Sequence, residues 1–124
     1  MGCGSSTGDE NRGFRRPQAS LKEDTVDSLI DENPVIVFSK SYCPFCIRAK
    51  ALLSDMKVQF KAIELDKTND GGKLESSLKT YSGQRTFPNI YINKVHVGGN
   101  DDLQRKYQNQ ELQKLLNKAG ISYS

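Results

Sequence analysis

The sequence predicts an α/β fold with a four-stranded mixed sheet flanked by helices on both faces, and three observations carry that reading. Val35-Ile36-Val37-Phe38 is wholly apolar and mostly β-branched, the pattern of a strand covered on both faces and therefore central in a sheet. An apolar helix face beginning at Pro44 separates it from a second strand-like run, Phe60 to Asp66, and two strands joined by a helix of that length form a right-handed parallel crossover. Further on, Asn89 to Ile92 and Val95 to Val97 are separated only by Asn93-Lys94, which reads as an antiparallel hairpin.

The elements follow in order. Residues 1–19 are rich in Gly, Ser and charge and nearly free of aliphatics, so burial cannot offset the entropy of ordering them, and a flexible tail is expected. Order is expected from Ser20, where Ser20 and Glu23 have the capping-box spacing and Val26, Leu29 and Ile30 follow at helical spacing. Asn33-Pro34 ends that helix because the residue before proline is pushed out of the helical region. After the buried strand, Phe45, Ala49, Leu52, Leu53 and Met56 form one helix face, with Pro44 suited to the first helical position. Phe60 to Asp66 alternates as a strand, and Lys67 to Gly72 is a polar turn. Leu74, Leu78 and Tyr81 mark a third helix that Gly83 can cap. Beyond the hairpin, Gly98-Gly99 breaks the strand and Asn100-Asp101-Asp102 supplies caps. Leu103, Tyr107, Leu112, Leu115 and Leu116 then form one or two closing helices. The chain thus divides into a tail, 1–19, and one domain, 20–124, a size compatible with a modest core at 35% hydrophobic content.

The formal charge of +3 is small and dispersed, which argues against nucleic acid as a partner. No apolar run approaches the roughly 20 residues that span a bilayer, and the N-terminus lacks the apolar core of a secretory signal. A cytoplasmic, reducing location is expected, where a structural disulfide is disfavoured.

Two of the three cysteines lie in Ser41-Tyr42-Cys43-Pro44-Phe45-Cys46. Zinc would require two more ligands at similar spacing, and the remaining candidates are Cys3, in the polar tail, and the single His96, so no metal is expected. A lone intracellular cysteine is often a small buried hydrophobe, but a C-x-x-C pair after a buried strand and on a helix start points to redox or nucleophilic chemistry. A helix N-terminus stabilises a thiolate through its unpaired N–H groups and dipole. Cys43 at that end is the expected attacking sulfur, with Lys40 adding positive charge, and Cys46, one turn inside, is the expected resolving thiol.

Together with Thr86-Phe87-Pro88 before the hairpin and Gly98-Gly99-Asn100-Asp101-Asp102-Leu103 after it, this stretch resembles a glutaredoxin of the dithiol, CPYC type, over about Val26 to Ile121. The resemblance implies a thioredoxin-like fold with Pro88 cis and facing the Cys43 sulfur. It further implies a glutathione site formed by Lys40, Phe45, Gln84, Thr86, Phe87, Pro88, Gly99, Asn100 and Asp101. Lys40 and Gln84 would lie near the glycine carboxylate of the tripeptide, and the Phe87 backbone would pair with its cysteinyl unit. Asn100 and Asp101 would meet its γ-glutamyl end. By local rules alone Lys40 is equally a solvated loop lysine, Gln84 and Thr86 are turn polars, Pro88 is trans at a strand start, Asn100 to Asp102 are helix caps, and His96 is a strand side chain without chemistry. Two positions depart from the usual family pattern, Phe45 where tyrosine is common and Phe87 where valine is common.

The activity implied is glutathione-dependent thiol–disulfide exchange on protein–glutathione mixed disulfides and protein disulfides. Glutathione would be co-substrate, and glutathione reductase would be coupled through glutathione disulfide. The rivals are a thioredoxin-type reductase, disfavoured by the absence of Trp, and a carrier of a glutathione-ligated [2Fe-2S] cluster, disfavoured by the stiffening Pro44. A monomer is expected. Finally, Met1-Gly2-Cys3-Gly4-Ser5-Ser6 matches an N-myristoylation pattern with Gly2 as acceptor. One acyl chain anchors weakly, and Cys3 palmitoylation or the cluster Arg12, Arg15 and Arg16 would supply a second hold on a membrane surface.

Overall fold

The computed structural model describes residues 21–124. The tail at 1–19, the acylation candidates Gly2 and Cys3, the basic cluster and the capping-box Ser20 lie outside the described residues. The elements run α1 (Leu21–Glu32), β1 (Val35–Ser39), α2 (Pro44–Asp55), β2 (Lys61–Glu64), α3 (Gly71–Ser82), β3 (Asn89–Ile92), β4 (Val95–Gly98), α4 (Asn100–Gln108) and α5 (Glu111–Lys118). The sheet order is β2-β1-β3-β4. β1 pairs parallel with β2 and antiparallel with β3, which pairs antiparallel with β4. The mixed four-stranded sheet is therefore the predicted one.

β1 is buried along its whole length, and its alternation divides the core. Val35 and Val37 pack with Ala49, Leu53, Leu103, Leu112 and Leu116 from α2, α4 and α5. Ile36 and Phe38 face Val26, Ile30, Leu74 and Leu78 from α1 and α3. Each such side chain contributes roughly 1.5–3 kcal/mol on burial, so β1 is tied to both layers, and its C-terminal end is a fixed platform for the loop that follows.

The chain breaks where the sequence dictates. Asn33 Nδ2 donates to the Leu29 carbonyl at 2.8 Å, closing α1 before Pro34. Asn93 and Lys94 adopt φ of 50° and 68°, and two positive-φ residues give the tight turn whose twist matches paired strands. Gly71 starts α3 against β2's exit: a Cβ there would lie 1.9 Å from the Leu65 carbonyl oxygen, so only glycine fits.

Four details differ from the sequence reading. β2 is shorter than Phe60 to Asp66: Leu65 leaves the strand but stays buried, donating its N–H to the Ser39 carbonyl at 2.8 Å. The polar turn after it ends earlier, because α3 already begins at Gly71. β4 extends one residue further, to Gly98. Phe45, assigned to the core face of α2, is instead 50% exposed and lines a cleft, while its neighbour Cys46 in the same turn takes the buried position.

Candidate active site

The loop between β1 and α2 is pinned before it reaches the first cysteine. Ser41 donates its N–H, at 2.9 Å, and its hydroxyl to the Asp66 carboxylate, and these bonds hold that carboxyl below its usual range. The Cys43 N–H donates to the Lys40 carbonyl at 3.0 Å. Cys43 then stands as N-cap of α2 in extended conformation, with Pro44 in the first turn. Because proline has no N–H, the free donors at this helix end are those of Phe45 and Cys46.

Desolvation pushes the Cys43 thiol up, but the Cys46 N–H and thiol, the Phe45 N–H and the Lys50 ammonium together bring it below its ordinary value. The cation among these is Lys50, a residue no motif singled out. Lys50 reaches back along α2, and is itself held by Glu64 at 2.6 Å. Cys46 is fully buried, and burial first, then the neighbouring Cys43, drive its thiol up to about 11. The two sulfurs are thus separated in role: one partly exposed and ionised readily, the other covered and protonated at neutral pH.

Opposite Cys43 stands the loop before β3. The Phe87–Pro88 peptide is cis, and Cys43 Sγ lies 3.9 Å from the Phe87 carbonyl oxygen. Between them opens a cleft of about 710 Å³. Of the residues singled out in the sequence, Lys40, Cys43, Phe45, Gln84, Thr86, Phe87, Gly99, Asn100 and Asp101 line it, joined by Tyr42, Glu75, Arg85 and Asp102. Cys46 and Pro88 lie behind this lining. At the far end α4 begins at Asn100, and the Asp102 carboxylate accepts from the Gly99 N–H at 3.1 Å. Gly98, at φ 113°, makes that cap feasible, since a Cβ there would lie 2.3 Å from Asp102 Oδ2.

Two contributors escaped sequence reasoning. Lys40 Nζ pairs with Glu75 at 2.9 Å and sits 5.2 Å from the Phe87 ring centroid. Glu75 carried no motif and showed only as a polar position on α3. His96, read as a strand side chain without chemistry, stacks on Tyr91 with ring centroids 4.8 Å apart. Its Nε2 lies 3.1 Å from Gln84 Oε1 and 3.0 Å from Asn89 Oδ1. Gln84 Nε2 in turn donates to the carbonyls of Thr86 and Pro88, each at 2.9 Å, and Asn89 Nδ2 donates to Ser82 Oγ. With both amide nitrogens committed elsewhere, both oxygens face Nε2, which must carry the proton. His96 therefore braces the proline loop from behind.

A buried strand feeding a helix that opens on C-P-F-C, facing a cis-proline loop across a mixed sheet, defines a thioredoxin-like thiol–disulfide redox protein. Comparison with known proteins makes this narrower. The glutaredoxin family model matches residues 35–97. Glutaredoxin-C6 of Oryza sativa subsp. japonica is 51% identical over 87 residues, covering 70% of this chain and 78% of that protein. Glutaredoxin-C4, chloroplastic, from the same plant is 43% identical over 97 residues, covering 78% and 73%. A crystal structure of a buckwheat glutaredoxin–glutathione complex superimposes with a TM-score of 0.80 at 33% identity, covering 86% of this chain and 99% of that one. The chain belongs to the glutaredoxin family, and its Cys43–Cys46 spacing fits that family's dithiol active site.

Proposed function

We propose that the protein is a glutathione-dependent oxidoreductase that reduces protein–glutathione mixed disulfides and protein disulfides. The observation that carries this reading is the position of the Cys43 sulfur, at the N-terminus of α2, 3.9 Å from the Phe87 carbonyl oxygen and on a cleft that ends on another helix N-terminus. A second support is the buckwheat relative, which was crystallised as a complex with glutathione.

The Cys43 thiolate attacks the glutathionyl sulfur of a mixed disulfide. A new S–S bond joins Cys43 to glutathione, and the protein's thiolate leaves and takes up a proton. A second glutathione thiolate then attacks the glutathionyl sulfur, releasing glutathione disulfide and regenerating Cys43. On a protein disulfide, Cys43 forms the mixed disulfide with the client. Cys46 loses its proton, attacks the Cys43 sulfur and expels the client thiol, leaving a Cys43–Cys46 disulfide that two glutathiones reduce. The tripeptide is placed with its glycine carboxylate toward Lys40 and Gln84, its cysteinyl backbone along Phe87 beside the cis Pro88, and its γ-glutamyl end at Gly99, Asn100 and Asp101. There the α4 N-terminus receives a carboxylate and Asp101 an ammonium.

The test is a coupled assay with glutathione, glutathione reductase and a glutathionylated peptide. Turnover by the wild type and its loss in Cys43→Ser are expected; activity surviving in Cys43→Ser contradicts the assignment.

The N-terminal M-G-C-G-S-S supports a cytoplasmic protein held at a membrane surface through Gly2 myristate and Cys3 palmitate. Mass spectrometry of protein isolated from its own cells tests this, and an unmodified N-terminus there contradicts it.

A further inference from the structure

The wall of the cleft formed by α3 holds a carboxylate where a substrate carboxylate is expected. Glu75 Oε1 lies 2.9 Å from Lys40 Nζ, and its Oε2 lies 3.0 Å from Lys79 Nζ. The three side chains are only about one-fifth to one-third exposed, so solvent screens them incompletely. Lys40 is further held by the Phe87 ring, 5.2 Å from its ammonium, a contact that keeps the cation on the cleft wall. Lys79 is one turn from Glu75 on the same helix, whereas Lys40 comes from the β1–α2 loop, so the cluster is more than a helix-surface pair.

Resting on the function proposed above, we propose that Glu75 competes with the glycine carboxylate of glutathione for Lys40, and that Lys79 takes up Glu75 when the tripeptide binds. This makes Glu75 the residue that sets the cleft's selectivity for charge at that end of the ligand. The charge count decides the direction. Lys40, Lys79 and Glu75 carry a net single positive charge; an arriving carboxylate brings the set to neutrality, with one carboxylate for each ammonium. Without Lys79, two carboxylates would share one ammonium and repel each other. Without the Glu75 charge, the Lys40 ammonium on the cleft wall serves the ligand alone, and Lys79, which does not line the cleft, has no carboxylate to take up. Glutamine at 75 keeps the length of the side chain and can still accept from Lys40 through its amide oxygen while offering N–H donors to the incoming carboxylate.

The test uses the full chain and two substrates: a peptide disulfide-linked to glutathione, and the same peptide linked to the glycyl monoethyl ester of glutathione, which lacks only that charge. The readout is kcat/KM for each. Glu75→Gln is expected to raise kcat/KM for the free-carboxylate substrate roughly three- to tenfold, the size of a partly screened ion pair, and to leave the ester substrate within about twofold. Lys79→Gln is expected to lower the free-carboxylate value by a similar factor in the wild-type background and to have little effect in Glu75→Gln, which marks Lys79 as acting through Glu75. Equal effects of Glu75→Gln on both substrates, or a loss on the free-carboxylate substrate, overturn the inference while leaving the general function intact. Absence of turnover of either substrate by the wild type overturns the function itself, and this inference with it.

Discussion

The sulfur of Cys43 faces the carbonyl oxygen of Phe87 across 3.9 Å, so the reactive atom and the cis-proline loop form the two jaws of one cleft. Neither jaw is built locally. Cys43 is placed by β1 and α2, buried in the middle of the sheet, and Phe87 by β3 beside it. The chemistry of the first jaw and the rigidity of the second give separable expectations.

Cys46 is fully covered, with a thiol raised to about 11. A group so placed is a poor first nucleophile but can attack a sulfur already linked to Cys43. Cys46→Ser is expected to retain most of the activity on glutathionylated peptides and to lose at least about tenfold on protein disulfides, measured side by side in the coupled assay.

Lys50 is the cation that helps hold Cys43 ionised. Lys50→Gln is expected to move the pH profile of Cys43 alkylation upward, slowing the reaction about two- to fivefold near pH 6. Lys40→Gln should leave that profile in place, since Lys40 is engaged by Glu75.

His96 supplies the single proton shared by the Gln84 and Asn89 oxygens. His96→Phe keeps the stack on Tyr91 but leaves the fully buried Asn89 without its donor. A loss of about 1–2 kcal/mol in denaturant unfolding is expected, together with a lower kcat/KM as Gln84 loosens behind the loop. Burial lowers the His96 pKa, with Asp102 opposing in part. Its contribution to stability is therefore present above the unfolded value of about 6.5 and lost as pH falls through the lower folded value. Wild-type stability should drop over that window by more than that of His96→Phe.

Gly98 sits at φ 113° with Asp102 Oδ2 where a methyl group would go. Gly98→Ala is expected to cost about 1–3 kcal/mol and to displace the cap on Gly99, raising KM more than it lowers kcat.

Much of this was legible in the chain. The four apolar residues of β1, the Pro44 start of α2 and the hairpin around Asn93-Lys94 are local signals, and each gave its element. The ends of β2 were not, because Leu65 stays buried through a bond to Ser39 of the neighbouring strand rather than through its own ladder. Phe45 fits the apolar period of α2 yet turns into the cleft, since periodicity does not distinguish an apolar side chain that packs in the core from one that lines a site. Motif spacing brought Cys43, Gln84, Thr86 and Asn100 to attention. Glu75 and His96 carry no such signal: their partners lie on other elements, and only the packing of α3 against the β1–α2 loop and of β4 against β3 brings them into contact.

The most direct test of the central claim is the rate of iodoacetamide alkylation of each cysteine as a function of pH, followed peptide by peptide by mass spectrometry on the reduced full chain. Cys43 is expected to reach half its maximal rate clearly below the ordinary thiol value of about 8.5, while Cys46 stays unmodified through neutral pH. A Cys43 profile centred at or above that ordinary value, or Cys46 reacting first, would contradict the account.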